Sequence, residues 1–138
     1  MGAASVRLKV VLTPPDWERF PDILGAGPRL LRGGAIATTE REEEFKPDVL
    51  KRGPRTAFGL DAAGNLLFFV NDGRQMPFEG LTVPELAQDM QLAGAVQALS
   101  LDGGNSTTLV VNGQLLNSPS SGGEVLVSNA LALQKLAR

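Results

Sequence analysis

One stretch decides the fold, residues 82–104, TVPELAQDMQLAGAVQALSLDGG. Its first half predicts a helix, because Thr82 and Glu85 have the spacing of a capping box and apolar residues recur at helical intervals. The predicted apolar face consists of Val83, Leu86, Ala87, Met90 and Ala93. The second half predicts a small, apolar strand from Val96 to Leu101, which leads directly into an acid, Asp102. A helix packed on a sheet, with a carboxylate at a strand end, is therefore expected.

Hairpin signals on both sides of this stretch predict how the sheet is built. Residues 55–60 and 66–70 form two predicted strands around a turn in which Gly64-Asn65 supplies positive φ angles. Farther along the chain, Asn112-Gly113 is the strongest short hairpin signal. We therefore predict a single α/β domain of the α+β type over residues 1–138, with a mixed, largely antiparallel sheet and one main amphipathic helix.

The remaining segments carry weaker signals. Residues 6–12 predict a strand, and residues 23–36, rich in glycine, favour short strands and tight turns. The acidic residues 40–44 predict a solvated turn or short helix, with metal binding as a weaker alternative. Residues 125–133 predict a last strand, although residues 131–138 also fit a helix.

Composition excludes several classes of protein. The chain has 138 residues, 43% of them hydrophobic, with 13 basic and 15 acidic residues, so it can bury a core and offers no polyanion-binding surface. Nucleic acid is therefore not expected as a partner. No apolar run reaches the roughly 18 to 20 residues of a membrane span, and residues 1–6 lack the features of a secretory signal.

The absence of cysteine and histidine limits the chemistry. Without cysteine there are no disulfides, thiol nucleophiles or cysteine-zinc sites. Without histidine, the side chain that most often serves as a general base near neutral pH is missing. Any catalysis must therefore depend on carboxylates, lysine, arginine or a bound metal.

Two strand ends bring an acid next to glycine, at Asp72-Gly73 and at Asp102-Gly103. A single Asp-Gly pair is most often ordinary turn chemistry. After Asp102, however, the turn continues with a second glycine and four small polar residues, Gly104, Asn105, Ser106, Thr107 and Thr108. Free backbone N–H groups and hydroxyls in such a turn can bind an anion. We predict positive φ for at least one of the two glycines.

Arg55 and Arg74 are the candidate anion ligands. They lie at a strand start and just beyond a strand end, and a guanidinium can hold a phosphodiester through two parallel hydrogen bonds. Taken alone, either arginine can equally be a surface charge.

At these residues the chain resembles the phosphodiester glycosidase family, whose members include the lysosomal uncovering enzyme and bacterial exopolysaccharide biosynthesis proteins. The matching segments keep the family order and are residues 27–31, 54–59, 70–75, 80–87, 101–108 and 127–131. The Asn-Gly-Gly segment followed by aromatic residues, which the family carries in its N-terminal part, has no counterpart here. The chain is therefore expected to be the C-terminal portion of such a domain.

The resemblance implies a site and a reaction. The substrate is a sugar joined through its anomeric carbon to a phosphate diester, in glycan or exopolysaccharide metabolism, and the reaction is hydrolysis of the glycosidic bond. The implied catalytic pair is Asp102 and Asp72, which are expected to approach each other. The implied substrate-binding residues are Arg55, Arg74, Gly103, Gly104, Asn105, Ser106, Thr107 and Asn129.

Two alternatives to this enzyme stay open. The first is a non-catalytic carbohydrate-binding or structural module derived from the same fold. The second is a metal-dependent phosphohydrolase with Asp72 and Asp102 as oxygen ligands. No cofactor is predicted, but a divalent cation such as calcium would fit those ligands. Family members are often secreted or envelope-associated, and oligomeric state is not predicted.

Overall fold

The computed structural model describes residues 13–134. The strand predicted at residues 6–12 lies outside them. The strands are β1 (Arg29–Arg32), β2 (Ala35–Ile36), β3 (Arg55–Asp61), β4 (Leu66–Asn71), β5 (Ala95–Ser100), β6 (Val110–Val111) and β7 (Gln114–Leu115). The helices are α1 (Pro47–Leu50) and α2 (Val83–Leu92), and short 3₁₀ turns occur at Pro15–Arg19 and Gly104–Ser106.

Five strands form one sheet in the order β2-β1-β5-β3-β4, and every neighbouring pair is antiparallel. After α2 the chain returns as β5 and inserts between β1 and β3. The predicted largely antiparallel sheet with one main helix is therefore confirmed. A separate β6-β7 hairpin turns at Asn112 and Gly113, which have φ angles of 52° and 76°, as the Asn-Gly signal predicts.

Helix α2 covers one face of the sheet. Four residues of its predicted face are fully buried, namely Val83, Leu86, Ala87 and Met90. The sheet offers small residues opposite the helix, and an added Cβ at Gly59 would come within 2.8 Å of Met90 Cε. Ala93 is the exception, because it is the exposed C-cap residue beyond the last buried turn. The helix can therefore lie close to β3.

The start of α2 is the predicted capping box. The backbone N–H of Glu85 donates to the Thr82 hydroxyl at 3.4 Å, and the backbone N–H of Thr82 donates to Glu85 Oε2 at 2.8 Å. Hydrogen bonding by Thr82 and by the Arg52 guanidinium lowers the pKa of Glu85 from 4.5 to about 2. The carboxylate form is thus favoured in the folded chain.

This pKa shift predicts a pH dependence of stability. The contribution of Glu85 is fully present above the unfolded pKa of about 4.5 and is lost as the pH falls towards about 2. We expect the free energy of unfolding, measured by urea denaturation, to fall across that window, and to fall less steeply in Glu85→Gln. Glu18→Gln, on an exposed 3₁₀ turn, is the control. Equal slopes in all three proteins would contradict the assignment.

The β3-β4 turn differs from the prediction in one residue. Gly64 has a φ of 84°, as expected, but Asn65 does not adopt positive φ. Instead, the Asn65 side chain donates to Asp61 Oδ2 at 2.7 Å, while Asp61 Oδ1 accepts from the backbone N–H groups of Ala63 and Asn65. These bonds, the side-chain bond from Asn65 first, lower the pKa of Asp61. The acid, not a second positive φ, organises this turn.

Three other segments can be compared with their predictions. Residues 40–44 form the predicted turn, and residues 23–36 contain the short strands β1 and β2. The strand predicted at residues 125–133 is wrong, because this segment is irregular and exposed, with Leu126 and Leu133 at the surface. An apolar run becomes a strand only beside a partner strand, and the described sheet provides none to this segment. Residues 131–134 are not helical, and 135–138 lie outside the described part.

Within residues 13–134 no helix combines the length and apolar character needed to cross a membrane.

Candidate functional site

A cleft of about 280 Å³ opens where β3 begins and β5 ends. It combines two carboxylates, one guanidinium and an apolar wall. Its lining residues are Gly25, Ala26, Gly27, Pro28, Glu43, Phe45, Val49, Arg55, Ser100, Leu101, Asp102 and Gly103.

Backbone hydrogen bonds bring the segments of this cleft together. The N–H of Gly27 donates to the carbonyl of Ser100, and the N–H of Ser100 donates to the carbonyl of Pro28, each at 2.9 Å. On the other side, the N–H of Leu101 donates to the carbonyl of Thr56 at 2.9 Å. The segment that ends in Asp102 therefore lies between the chain before β1 and the start of β3.

Arg55 is a buried arginine whose guanidinium is held by backbone carbonyls. The residue is only 7% exposed, and its Nε and Nη2 atoms donate to the carbonyls of Leu81 and Lys51 at 2.9 and 2.5 Å. Burial, and then repulsion by Arg74, lower the pKa of its guanidinium. Across residues 13–134, no carboxylate forms an ion pair with it. A buried positive charge thus lines the cleft and has no carboxylate partner in the described part of the chain.

In the turn after β5, fewer backbone N–H groups are free than the sequence predicts. Gly104 has a φ of 60°, which confirms that one of the two glycines adopts positive φ. Gly103 has extended geometry, and an added Cβ there would come within 2.7 Å of the Pro54 carbonyl. The N–H groups of Gly104, Ser106 and Thr107 donate to the backbone carbonyls of Pro54, Gly103 and Gly104. These groups are therefore not free to bind an anion, because the turn uses them to hold its own shape.

The polar residues of this turn have different surroundings. Asn105 is exposed and accepts a hydrogen bond from the Ser120 hydroxyl at 2.9 Å, and Ser106 is half-buried. Thr107 is fully buried, and its hydroxyl is 3.3 Å from that of Thr56. Thr107 therefore contacts the sheet, whereas Asn105 faces solvent.

Arg74 lies beside the glycine turn. Its backbone has a φ of 57°, and its guanidinium fills the space where side chains at two glycines would stand. An added Cβ would be 3.3 Å from Arg74 Nε at Gly53 and 3.3 Å from Arg74 Nη1 at Gly104. The structure therefore brings Arg74 to the Gly103-Gly104 turn, although it is exposed and is not among the residues that line the cleft.

Asp72 and Asp102 share an end of the sheet but not the cleft. Asp102 is exposed at the cleft. Asp72 Oδ1 accepts from the Asn117 amide, and Oδ2 accepts from the backbone N–H of Ser118, both at 2.9 Å. The Asn117 amide also donates to the carbonyl of Thr107, on the sheet face that Thr56 occupies. Alternation along β3 points Arg55 to the opposite face, so Asp72 anchors a loop on the side away from the cleft.

Asn129 is exposed in the irregular segment after residue 123. It is not among the cleft-lining residues. Its part in substrate binding stays a prediction.

Two residues of this region were not singled out from the sequence. Glu43 lines the cleft, although it belongs to the acidic turn that the sequence indicates as a solvated surface. Asn117 joins β4 to the glycine turn by bonding Asp72 and the Thr107 carbonyl, while its Oδ1 accepts from the N–H of Leu109 at 2.7 Å. The nearby Asn112-Gly113 turn predicts only the hairpin, so no local signal marked Asn117.

Metal binding is the weaker alternative for the acidic turn and for the pair Asp72 and Asp102. Over residues 13–134, no cluster of three or more aspartate and glutamate side chains has a metal-ligating arrangement. Asp102 lines the cleft, and Asp72 is not among its lining residues. The metal-dependent alternative for these two aspartates stays a prediction.

The sequence model of the phosphodiester glycosidase family matches residues 3–134 of this chain. The chain belongs to this family. Among curated members, the mouse N-acetylglucosamine-1-phosphodiester alpha-N-acetylglucosaminidase is 40% identical over 88 residues, which are 62% of this chain and 17% of the mouse protein. The human protein of the same name is 32% identical over 111 residues, which are 73% of this chain and 21% of that protein.

Two solved structures of related proteins have a fold similar to that of this chain. A hypothetical protein from Synechocystis is 37% identical with a TM-score of 0.70, over 80% of this chain and 21% of that one. The zebrafish N-acetylglucosamine-1-phosphodiester alpha-N-acetylglucosaminidase catalytic domain, auto-inhibited by its pro-peptide, is 34% identical with a TM-score of 0.55. That match covers 67% of this chain and 33% of the zebrafish domain. The chain thus spans about a fifth of its curated mammalian relatives and a third of one catalytic domain.

Proposed function

We propose that this chain contributes the active site of an enzyme that hydrolyses a sugar-1-phosphate diester at the glycosidic bond. The observation that carries the proposal is the buried Arg55 guanidinium, which lacks a carboxylate partner within the described residues and lines the cleft beside Asp102. The names of the mouse and human relatives favour an α-linked N-acetylglucosamine as the sugar. Exopolysaccharide or another glycan as the source of the diester is part of the proposal.

The chemistry of such a diester suits these residues. The phosphate carries a negative charge, which Arg55 binds from the cleft wall and Arg74 binds from the glycine turn. Asp102 then supports the positive charge that develops at the anomeric carbon as the bond breaks. The leaving group is a phosphate monoester with a second pKa near 6, so it needs little protonation. Histidine is therefore not required.

The two acids of the predicted pair have different parts in this proposal. Asp102 acts at the anomeric carbon. Asp72 positions the glycine turn through Asn117, which bonds both Asp72 and the Thr107 carbonyl. Asn105, Ser106 and Asn129 remain proposed sugar ligands, and Gly103 and Gly104 let the turn pack closely against Pro54 and Arg74 at the site.

The position of bond cleavage tests the proposal. The chain is incubated with the methyl diester of N-acetylglucosamine 1-phosphate in water enriched in oxygen-18, and methyl phosphate is collected for mass spectrometry. Cleavage at the anomeric carbon leaves the methyl phosphate unlabelled, as we expect. Labelled phosphate would instead show attack at phosphorus and favour a phosphohydrolase. Binding of the diester without turnover would favour the carbohydrate-binding module.

Replacing Arg55 should weaken anion binding. In Arg55→Lys the charge remains but the planar fork is lost, so we expect affinity for N-acetylglucosamine 1-phosphate to fall about 10- to 100-fold. Isothermal titration calorimetry measures the affinity, and thermal melting verifies folding. Arg52→Lys is the matched control, because Arg52 is half-exposed, pairs with Glu79 and Glu85 and lies outside the cleft. Equal affinities of the two variants would remove Arg55 from the anion site.

A further inference from the structure

We infer that Glu43 is a catalytic residue, the general base that removes a proton from the water that attacks the anomeric carbon. This inference rests on the proposed function and assigns the second carboxylate of the reaction. It concerns a side chain in the acidic turn between β2 and α1.

The carboxylate of Glu43 is held at one oxygen and open at the other. Its Oε1 accepts a hydrogen bond from the hydroxyl of the buried residue Thr39. The same oxygen accepts from the backbone N–H of Arg29 at 3.3 Å. No hydrogen-bond donor within residues 13–134 reaches Oε2. Oε2 lies over Gly27, where an added Cβ would collide with it. Because residue 27 is a glycine, there is room in the cleft wall for this oxygen.

The order of the chain segments places Glu43 and Arg55 on opposite sides of Asp102. Gly27, beneath the Glu43 carboxylate, is hydrogen-bonded to Ser100, and Thr56, next to Arg55, is hydrogen-bonded to Leu101. Each step across such a ladder is roughly 5 Å. A phosphate bound at Arg55 and a water bound at Glu43 would therefore flank a sugar carbon held near Asp102.

A single displacement that inverts the anomeric carbon requires this order, because the attacking water and the leaving group then occupy opposite faces of the sugar. The water oxygen forms a bond to the anomeric carbon, and its proton passes to Glu43 Oε2. The bond from the anomeric carbon to the phosphate oxygen breaks, and its electron pair leaves with the phosphate monoester. Asp102 keeps its negative charge and stabilises the developing positive charge.

Asp72 does not fit this role. Both of its oxygens accept hydrogen bonds from the loop at Asn117 and Ser118, and Asp72 is not among the residues that line the cleft. Glu43 lines the same cleft as Arg55, and its Oε2 has no donor among residues 13–134.

A pair of variants at Glu43 tests the inference. Glu43→Gln keeps the size of the side chain, and its turnover of the methyl diester should fall about 10²- to 10⁴-fold, as expected for loss of a general base. Glu42→Gln, the neighbouring exposed acid, is the matched control and should retain wild-type turnover. Glu43→Ala is then assayed with sodium azide, an anion that attacks carbon without losing a proton. Azide should restore turnover at least tenfold and yield the glycosyl azide, identified by mass spectrometry.

Each outcome decides a different point. Wild-type activity in Glu43→Gln would overturn the role of Glu43 and leave the proposed function intact. Lost activity that azide fails to restore would overturn the general-base assignment, because a merely structural role is not rescued by a small nucleophile. A wild-type chain that does not cleave the diester would overturn the proposed function and this inference with it.

Discussion

Asp102→Asn should lose about 10³-fold or more in turnover of the methyl diester and keep its fold. Asparagine preserves the size and the turn-forming capacity of the residue, so the variant removes only the charge that opposes a developing oxocarbenium ion. Asp102 is exposed at a strand end, so the free energy of unfolding should change by no more than about 0.5 kcal/mol. Initial rates and a thermal melt of each protein measure the two effects.

The control for this prediction is a carboxylate on the same domain but away from the cleft. Asp89→Asn, on α2, should keep both its rate and its melting temperature close to those of the wild type. A plain phosphomonoester serves as the second substrate, because a nonspecific phosphatase would cleave it equally well. Equal rates of Asp102→Asn and wild type on the diester would show that Asp102 is only a turn residue.

Gly80→Ala should destabilise the fold by about 3 kcal/mol more than Gly64→Ala. Both glycines have positive φ, 92° and 84°, so both substitutions carry the same backbone penalty. The two positions differ in the space available to an added Cβ atom. A Cβ at Gly80 would collide with the backbone of Gly53, whereas nothing lies within 4 Å of a Cβ at Gly64. The difference in urea-unfolding free energy between the variants therefore measures the collision alone.

Gly80→Ala should also weaken ligand binding at the cleft. The N–H of Leu81 donates to the Gly53 carbonyl at 2.9 Å, and the Leu81 carbonyl accepts from both Gly53 and Arg55. If Gly80→Ala pushes these segments apart, Arg55 loses one of its carbonyl partners, and affinity for the sugar phosphate should fall together with stability. Two glycine variants of equal stability would show that Gly53 moves aside freely.

The parts of the fold that the sequence predicts correctly depend on neighbours in the chain. The Thr82 and Glu85 capping box, the Asn112-Gly113 turn and the β3-β4 hairpin each rest on residues a few positions apart. The pairing of β1 with β5 joins segments about 70 residues apart, and no local pattern specifies it. The apolar segment 125–133 shows the reverse error, because its composition fits a strand but no described strand pairs with it.

In the candidate site, too, the features that depend on neighbouring residues could be predicted and those that depend on distant segments could not. The positions of Arg55 at a strand start and of Asp102 at a strand end could be predicted, and so could a positive φ at one of Gly103 and Gly104, because these are local features. Their roles in binding and catalysis stay predictions. Glu43 could not be predicted, because its place in the cleft depends on Thr39 and on the β1-β5 junction. For Asp72, the sequence correctly indicates a strand end but does not reveal the loop that its carboxylate bonds.

The way in which Arg55 is held determines which sequence changes this part of the site can accept. Its guanidinium bonds the backbone carbonyls of Lys51 and Leu81, not their side chains. Every amino acid carries that carbonyl, so substitutions at these two positions leave the bonds in place as long as the backbone path is kept. Insertions or deletions between 51 and 55 would move the carbonyl and break the support. This part of the site therefore tolerates exchange of residues far better than changes of length.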